Sequence, residues 1–128
     1  MTNFSFLKAE WPELYAAAVQ SEGLARTDPR TACFHARRAL EIAAKWLYKS
    51  DRSLRVPYDT TLSALIHEPT FRTAVGPAIF NKARVVKDLG NEAVHGARQM
   101  NVNDATVAVR ELFHVGFWLA RTYARGDR

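Results

Sequence analysis

Asn91 and His95 are the side chains whose types and spacing best fit a catalytic role. Both lie in the stretch KDLGNEAVHG (87–96). A histidine titrates near neutral pH and can act as a general acid or base. A spacing of four residues puts its ring on the same helix face as the asparagine amide. Gly90 falls instead on the apolar stripe of the same helix. A glycine there costs about 1 kcal/mol relative to alanine, so it predicts a packing role in which a neighbouring helix approaches closely.

Four polar residues line one side of this helix: Arg84, Asp88, Asn91 and His95 fall within about 60° of one another at 100° per residue. They predict a polar line opposite the buried stripe. The line is either a functional surface or a solvated helix edge that ends at His95–Gly96. A histidine on the last turn with a glycine just beyond it is typical of a helix end, and spacing alone favours this second interpretation.

The elements that must position these residues are helices, because apolar residues recur at helical spacing and no useful stretch alternates like a strand. Asp28–Pro29 is an N-cap followed by proline at the first helical position, and residues 101–104 offer a second set of capping groups. Long helices are expected at about 8–25, 28–48, 77–95 and 103–124, with one or two short helices between 60 and 75. The sequence therefore predicts one all-α domain over residues 1–128, an up-and-down bundle with Gly116 close to the inner face of its last helix.

The positive charge of the chain is concentrated on the second predicted helix and its flanks. The net charge is +5, and residues 26–55 hold eight of the 18 Lys and Arg but only three of the 13 acids. A local basic face attracts nucleic acid or an acidic partner, and a solvated helix face rich in arginine is the equally strong alternative. The nucleic-acid-binding candidates are Arg30, Arg37, Arg38, Lys45 and Lys49.

Several function classes find no support in the sequence. Cys33 is the one cysteine and predicts a small buried residue in a reducing compartment. No pair of histidines has metal-ligand spacing, so we expect no metal and no cofactor in this chain. No window approaches the ~20 apolar residues that span a bilayer, and no signal peptide is apparent, so we expect a cytoplasmic protein with no membrane partner.

Four segments in order resemble the helical domain that often opens the R subunit of type I restriction enzymes. They are NFSFL, TDPRTACFHARRALEIAAKWLY, FNKARVVKDLGNEAVHG and LFHVGFWLARTYAR, and the resemblance extends from about residue 3 to residue 125. In R subunits this domain precedes a nuclease domain and an ATP-driven DNA translocase, neither of which has its motifs here. The resemblance implies an N-terminal fragment of a longer R subunit or a stand-alone relative, and the charged ending ARGDR suits a domain boundary. ATP and Mg²⁺ are implied for the parent protein only.

The same segments also resemble the HEPN helical bundles, many of which are metal-independent ribonucleases and usually dimeric. Their motif is arginine, a polar residue, three further residues and histidine. Carried over by position, His95 matches the histidine and Asn91 the polar residue, but Gly90 stands where the arginine would be. This departure argues against catalysis, because the arginine would stabilise the charged phosphoryl transition state. Glu41 and Lys45 have the spacing of an additional acid and base, although an i,i+4 salt bridge is the ordinary interpretation.

Three hypotheses follow. The first is a non-catalytic accessory domain of the R subunit, which docks onto the other domains and subunits of the restriction complex or contacts DNA through its second helix. The second is a HEPN-type ribonuclease or toxin-like domain with His95 as general acid or base. The third is a stand-alone module that forms homodimers through exposed aromatic side chains on its helix faces, for which the candidates are Trp46, Phe117 and Trp118.

Overall fold

The computed structural model describes residues 2–125 as an all-helical bundle, with no strand in that range. A short 3₁₀ turn at Ser5–Leu7 precedes five α-helices: α1 Pro12–Leu24, α2 Pro29–Ser50, α3 Leu62–His67, α4 Pro69–His95 and α5 Val102–Tyr123. The predicted all-α bundle, with four long helices and one short one, is thus confirmed. The last three residues of the ARGDR ending lie outside the described range. No helix in residues 2–125 has both the length and the apolar character needed to cross a membrane.

The helix starts are where the capping residues predicted them. The carboxylate of Asp28 accepts hydrogen bonds from the backbone N–H of Thr31 (3.3 Å) and from its hydroxyl (2.6 Å), and Pro29 is the first helical residue. Asn101 and Asp104 form a reciprocal capping box, each side chain accepting the backbone N–H of the other residue at 2.9 Å. These bonds satisfy N–H groups that have no partner inside the helix.

A bend at Gly76 divides α4 into two parts. Gly76 has φ 83° and ψ 165°, a left-handed backbone conformation that glycine adopts without steric cost. Pro77 follows and has no N–H to donate within the helix. The bend therefore separates a first part at 69–75 from the long part at 77–95, in agreement with the short element and long helix predicted there.

The second helix, α2, is the centre of the bundle. It packs against α1, α3, α4 and α5, whereas α1 and α4 do not contact each other. Its buried face consists mainly of small side chains: Ala32, Cys33, Ala36, Ala39, Leu40, Ala43, Ala44 and Leu47. Because alanine leaves little bulk between the axes, neighbouring helices lie close to α2.

The closest approach of α2 and α4 is at Gly90. A β-carbon built on Gly90 would overlap the Cβ of Arg37 and lie 2.7 Å from its Cδ. Gly90 is buried, so it occupies the stripe position that the sequence assigned to it. The expected close approach of a neighbouring helix is confirmed, and Arg37 is the residue that fills the space.

The other two glycines assigned structural roles are less constrained. Gly96 caps α4 with φ −84° and ψ 159°, so its backbone is extended and not left-handed. The carboxylate of Glu92 folds over it, with Oε2 2.7 Å from where a β-carbon would lie. Gly116 is buried on the inner face of α5, but a β-carbon there would meet Leu7 at an ordinary contact distance of 3.5 Å.

Opposite effects on stability are expected when Gly90 and Gly23 are each changed to alanine. Gly90→Ala should lower the free energy of unfolding by about 1–3 kcal/mol, because Arg37 Cβ is fixed to the α2 backbone and the helices must separate. Gly23, inside α1, has no atom within 4 Å of the position that a β-carbon would take. Gly23→Ala should therefore raise the free energy of unfolding by about 0.5–1 kcal/mol through helix propensity. Urea denaturation monitored by circular dichroism measures both, and equal effects of the two changes would contradict the close contact.

Candidate functional site

Asn91 faces α2 and is held by an arginine. Its Oδ1 accepts a hydrogen bond of 2.7 Å from Nε of Arg37, and the pair is partly buried. The stem of Arg37 crosses Gly90, so the side chain reaches Asn91 without leaving the seam between the helices. The placement of Asn91 opposite the buried stripe was therefore wrong, and Arg37, one of the nucleic-acid-binding candidates, instead donates to a residue of α4. Both lie at the edge of the stripe, where a helix face meets its neighbour.

The rest of the predicted polar line is exposed to solvent. Arg84, Asp88 and His95 are all exposed, and the carboxylate of Asp88 pairs with Nζ of Lys87 at 2.9 Å. His95 forms no hydrogen bond or ion pair within residues 2–125. It lies one turn beyond Asn91, on the same face. The structure thus brings His95, Asn91 and the guanidinium of Arg37 to one end of the α2–α4 seam.

This constellation combines a guanidinium, an amide and an imidazole, and its guanidinium is a group suited to an anion. The Nε of Arg37 is taken by Asn91, but the two Nη atoms of its guanidinium have no hydrogen-bond partner in the described residues. A guanidinium fixed in position by an amide is a preorganised donor for a phosphate or carboxylate. The exposed imidazole of His95 lies one turn further along the helix.

Arg30 closes the C-terminal end of α4. Its Nη1 donates to the carbonyl oxygens of Ala93 (2.7 Å), Glu92 (3.2 Å) and Gly96 (3.5 Å), and its Nη2 donates to the carbonyl of Arg98. These carbonyls lie at or just beyond the negative end of the α4 dipole, and that of Glu92 also accepts the backbone N–H of Gly96 at 2.9 Å. Arg30 is therefore a helix cap provided by another helix, and its donors are not directed at a nucleic acid.

Three of the basic candidates on α2 remain on the surface. Arg38, Lys45 and Lys49 are exposed, and their spacings of seven and four residues place them in one row along the helix. Lys45 pairs with Glu41 at 3.0 Å, which is the ordinary i,i+4 salt bridge expected from the sequence. Arg38 and Lys49 form no hydrogen bond or ion pair within residues 2–125.

The three aromatic candidates for an exposed surface differ in their burial. Trp46 and Trp118 are half-buried and pack edge-to-face on Tyr123, with ring centroids 5.6 and 5.7 Å apart. Phe117 is 49% exposed and lies beside Phe6, itself 37% exposed, with centroids 5.9 Å apart. Phe117 and Phe6 therefore form an exposed aromatic pair, which the sequence did not predict because Phe6 lies in a short N-terminal turn.

Cys33 and Glu111 are titratable groups whose surroundings indicate structural roles. Burial raises the pKa of the Cys33 thiol to about 11, which agrees with an inert buried cysteine. Burial would raise the pKa of Glu111, but the cations around it, chiefly Lys82 at 3.2 Å, hold that pKa below its ordinary value. His114 lies 3.3 Å from the same carboxylate. Within residues 2–125, no group of three or more His, Cys, Asp or Glu side chains is placed to hold a metal ion.

Two arginines on α2 are expected to differ in their effect on stability. Arg30→Met should lower the free energy of unfolding by about 1.5–3 kcal/mol, because the carbonyls at the end of α4 lose a charged donor. Arg38→Met, the same change at an exposed position of the same helix, should stay within about 0.5 kcal/mol of the unchanged protein. Urea denaturation measures both, and an equal response would mean that Arg30 does not cap α4.

Residues 20–124 match the family model described as "Domain of unknown function (DUF4145)". No curated protein matches the chain, and no solved structure matches it. The matched region contains all of α2 to α5 and therefore the α2–α4 seam, the Arg30 cap and the row of cations on α2. The chain belongs to the DUF4145 family of domains of unknown function.

Proposed function

We propose that this chain is a non-catalytic N-terminal accessory domain of a type I restriction enzyme R subunit and that α2 contacts DNA. The resemblance of its four segments, in their order along the chain, to that domain supports the proposal that the parent protein is an R subunit. The observation that carries the DNA contact is the exposed row of Arg38, Lys45 and Lys49. Over eleven residues the row extends about 16 Å along the helix, which is long enough to meet several phosphates of one backbone.

The row provides contacts to phosphates and carries no information about sequence. Lysine and arginine side chains on a helix surface position a protein on the duplex, whereas bases are recognised in the grooves. Lys45 shares its charge with Glu41, so Arg38 and Lys49 are the principal contacts. In the parent protein, DNA cleavage and translocation with ATP and Mg²⁺ would be carried out by other domains, and this domain needs no metal or cofactor of its own.

Docking onto the rest of the complex requires a different surface. The exposed pair of Phe6 and Phe117, supported by Phe113 at 5.7 and 6.1 Å, is an apolar patch on α5 and the N-terminal turn. Exposed aromatic side chains of this kind are typical anchors in protein interfaces. This patch is our candidate for docking to other domains or subunits, or for the contact between two copies in a homodimer.

Duplex DNA should bind weakly and lose affinity with salt. For three phosphate contacts, the association constant should fall about 40-fold between roughly 50 and 200 mM salt. The variant Arg38→Glu/Lys49→Glu should abolish binding, because it replaces the two cations of the row that have no partner within residues 2–125. Fluorescence anisotropy with a labelled duplex measures both effects.

Arg84→Glu provides the control, since Arg84 is an exposed arginine on α4 outside the row. Each substitution in either variant replaces a cation by a glutamate and so changes the net charge by the same amount. Arg84→Glu should nevertheless keep most of the affinity for duplex DNA. If Arg84→Glu weakens binding as strongly per charge as the double variant, the attraction comes from net charge and not from the row. Affinity that does not change with salt would remove the DNA contact and leave docking as the function.

A metal-independent ribonuclease is the second candidate, and the position of Arg37 favours it. Gly90 stands where the HEPN motif has its arginine, but the stem of Arg37 crosses this glycine and its guanidinium donates to Asn91. An arginine, an asparagine and a histidine are thereby assembled from two helices. In this proposal the guanidinium would stabilise the charge on a scissile phosphate and His95 would act as general acid or base.

RNA cleavage by the purified protein in the presence of a metal chelator would support this second function. His95→Ala should then abolish cleavage, and Arg37→Lys should reduce it at least tenfold, because lysine keeps the charge but loses the planar donor geometry. Both should remain folded by circular dichroism. Cleavage that survives His95→Ala would identify a contaminating nuclease.

A further inference from the structure

A groove of about 410 Å³ lies between the start of α1 and the last turns of α2, away from the α2–α4 seam. Its volume is within the range of small-ligand sites, about 300–1,000 Å³. Ile42, Trp11 and Trp46 contribute apolar surface to it, and Lys45 and Lys49 reach it from the row of cations. The groove therefore adjoins the proposed DNA-contacting surface.

The aromatic surface of the groove is held in position before any ligand arrives. Trp11 is 5% exposed and packs edge-to-face on Trp46 with ring centroids 5.4 Å apart. Tyr123 packs on another side of Trp46 at 5.6 Å, and its hydroxyl donates to Asp51 at 2.6 Å. Trp46 is thus fixed on two sides and remains only partly buried. An aromatic ring fixed in this way can stack on a flat ligand without first losing rotamer freedom.

The two walls of the groove carry opposite charges. Lys45 and Lys49 lie on the α2 side, and Glu10 and Glu13 lie on the α1 side. The carboxylate of Glu10 accepts the backbone N–H of Arg125 at 3.0 Å, whereas Glu13 forms no hydrogen bond or ion pair within residues 2–125. A ligand that fits needs an anion at one edge, a flat ring in the middle and N–H donors at the other edge. A nucleotide whose base carries an exocyclic amino group has these three features.

We propose that this groove binds one unstacked base of a single-stranded nucleic acid. The base stacks on Trp46, its amino edge faces Glu13, and the adjacent phosphate lies on Lys49. The row continues towards Arg38, which contacts a further phosphate of the same strand. The inference rests on the proposed nucleic-acid contact of α2 and adds a preference for single strands, because a paired base inside a duplex cannot enter the groove.

Binding of oligonucleotides of about twelve residues tests the proposal, with anisotropy for affinity and tryptophan fluorescence for stacking. Oligo-dC should bind more tightly than oligo-dT or a duplex and should quench the fluorescence. Trp46→Leu should weaken oligo-dC binding about tenfold or more and leave duplex affinity unchanged, while Lys49→Glu should weaken both. Trp118→Leu is the matched control, since Trp118 also packs on Tyr123 but lies outside the groove.

Two further variants keep the proposal testable if Trp46→Leu does not fold. Trp46→Phe retains an aromatic ring and should keep most of the preference for single strands. Glu13→Ala, at an exposed position, should remove the preference for oligo-dC over oligo-dT. Quenching by a polyglutamate peptide equal to that by oligo-dC would show a general anion surface and overturn the proposal.

The remaining outcomes separate this inference from the proposed function. Equal affinity for single strands and duplex, unchanged in Trp46→Leu, overturns the groove as a base site and leaves the DNA contact of α2 intact. Failure to bind any nucleic acid at low salt overturns both and leaves docking as the function. A preference for single strands together with salt-sensitive binding of duplex supports the groove as a base site and the DNA contact of α2.

Discussion

The close approach of α2 and α4 at Gly90 is the constraint on which the arrangement of the polar residues depends. Without a side chain at Gly90, the stem of Arg37 can lie across α4 and its guanidinium can reach Asn91. The same contact brings Arg30 to the last carbonyls of α4. The position of the seam therefore decides which cations bind protein atoms and which remain free for a ligand, and it sets the place of His95 relative to Arg37.

The basic character of α2 consequently has two components. Arg30 donates to carbonyl groups at the negative end of α4, and Arg37 donates to the side-chain amide of Asn91. Arg38, Lys45 and Lys49 face solvent and can release counterions on binding to a phosphate chain. Net charge alone therefore overstates the surface that is available for the proposed DNA contact. The exposed cations of α2 form one row, which adjoins the groove beside Trp46.

The fold could be predicted from the sequence because its signals are local. Asp28–Pro29 and Asn101–Asp104 determine two helix starts through bonds within three residues, and the alanine stripe of α2 determines its buried face. The roles of Arg30 and Arg37 could not be predicted in the same way. A helical wheel gives the direction of a Cα–Cβ bond, but a long flexible stem can carry its guanidinium from the edge of a stripe onto the neighbouring helix. The groove beside Trp46 was missed for a related reason, because it joins the start of one helix to the end of the next.

The cap on α4 also has a consequence for the order in which the chain folds. Arg30 and Ala93 are 63 residues apart in sequence, so the bond between them cannot form while α4 is an isolated helix. Most contacts in a helical bundle are local and form early, but this one requires the loop between the two helices to close first. The last turn of α4, which contains His95, is therefore expected to become ordered only when α2 has docked. The candidate site then exists only in the assembled bundle, and a ligand bound there would select the fully folded chain.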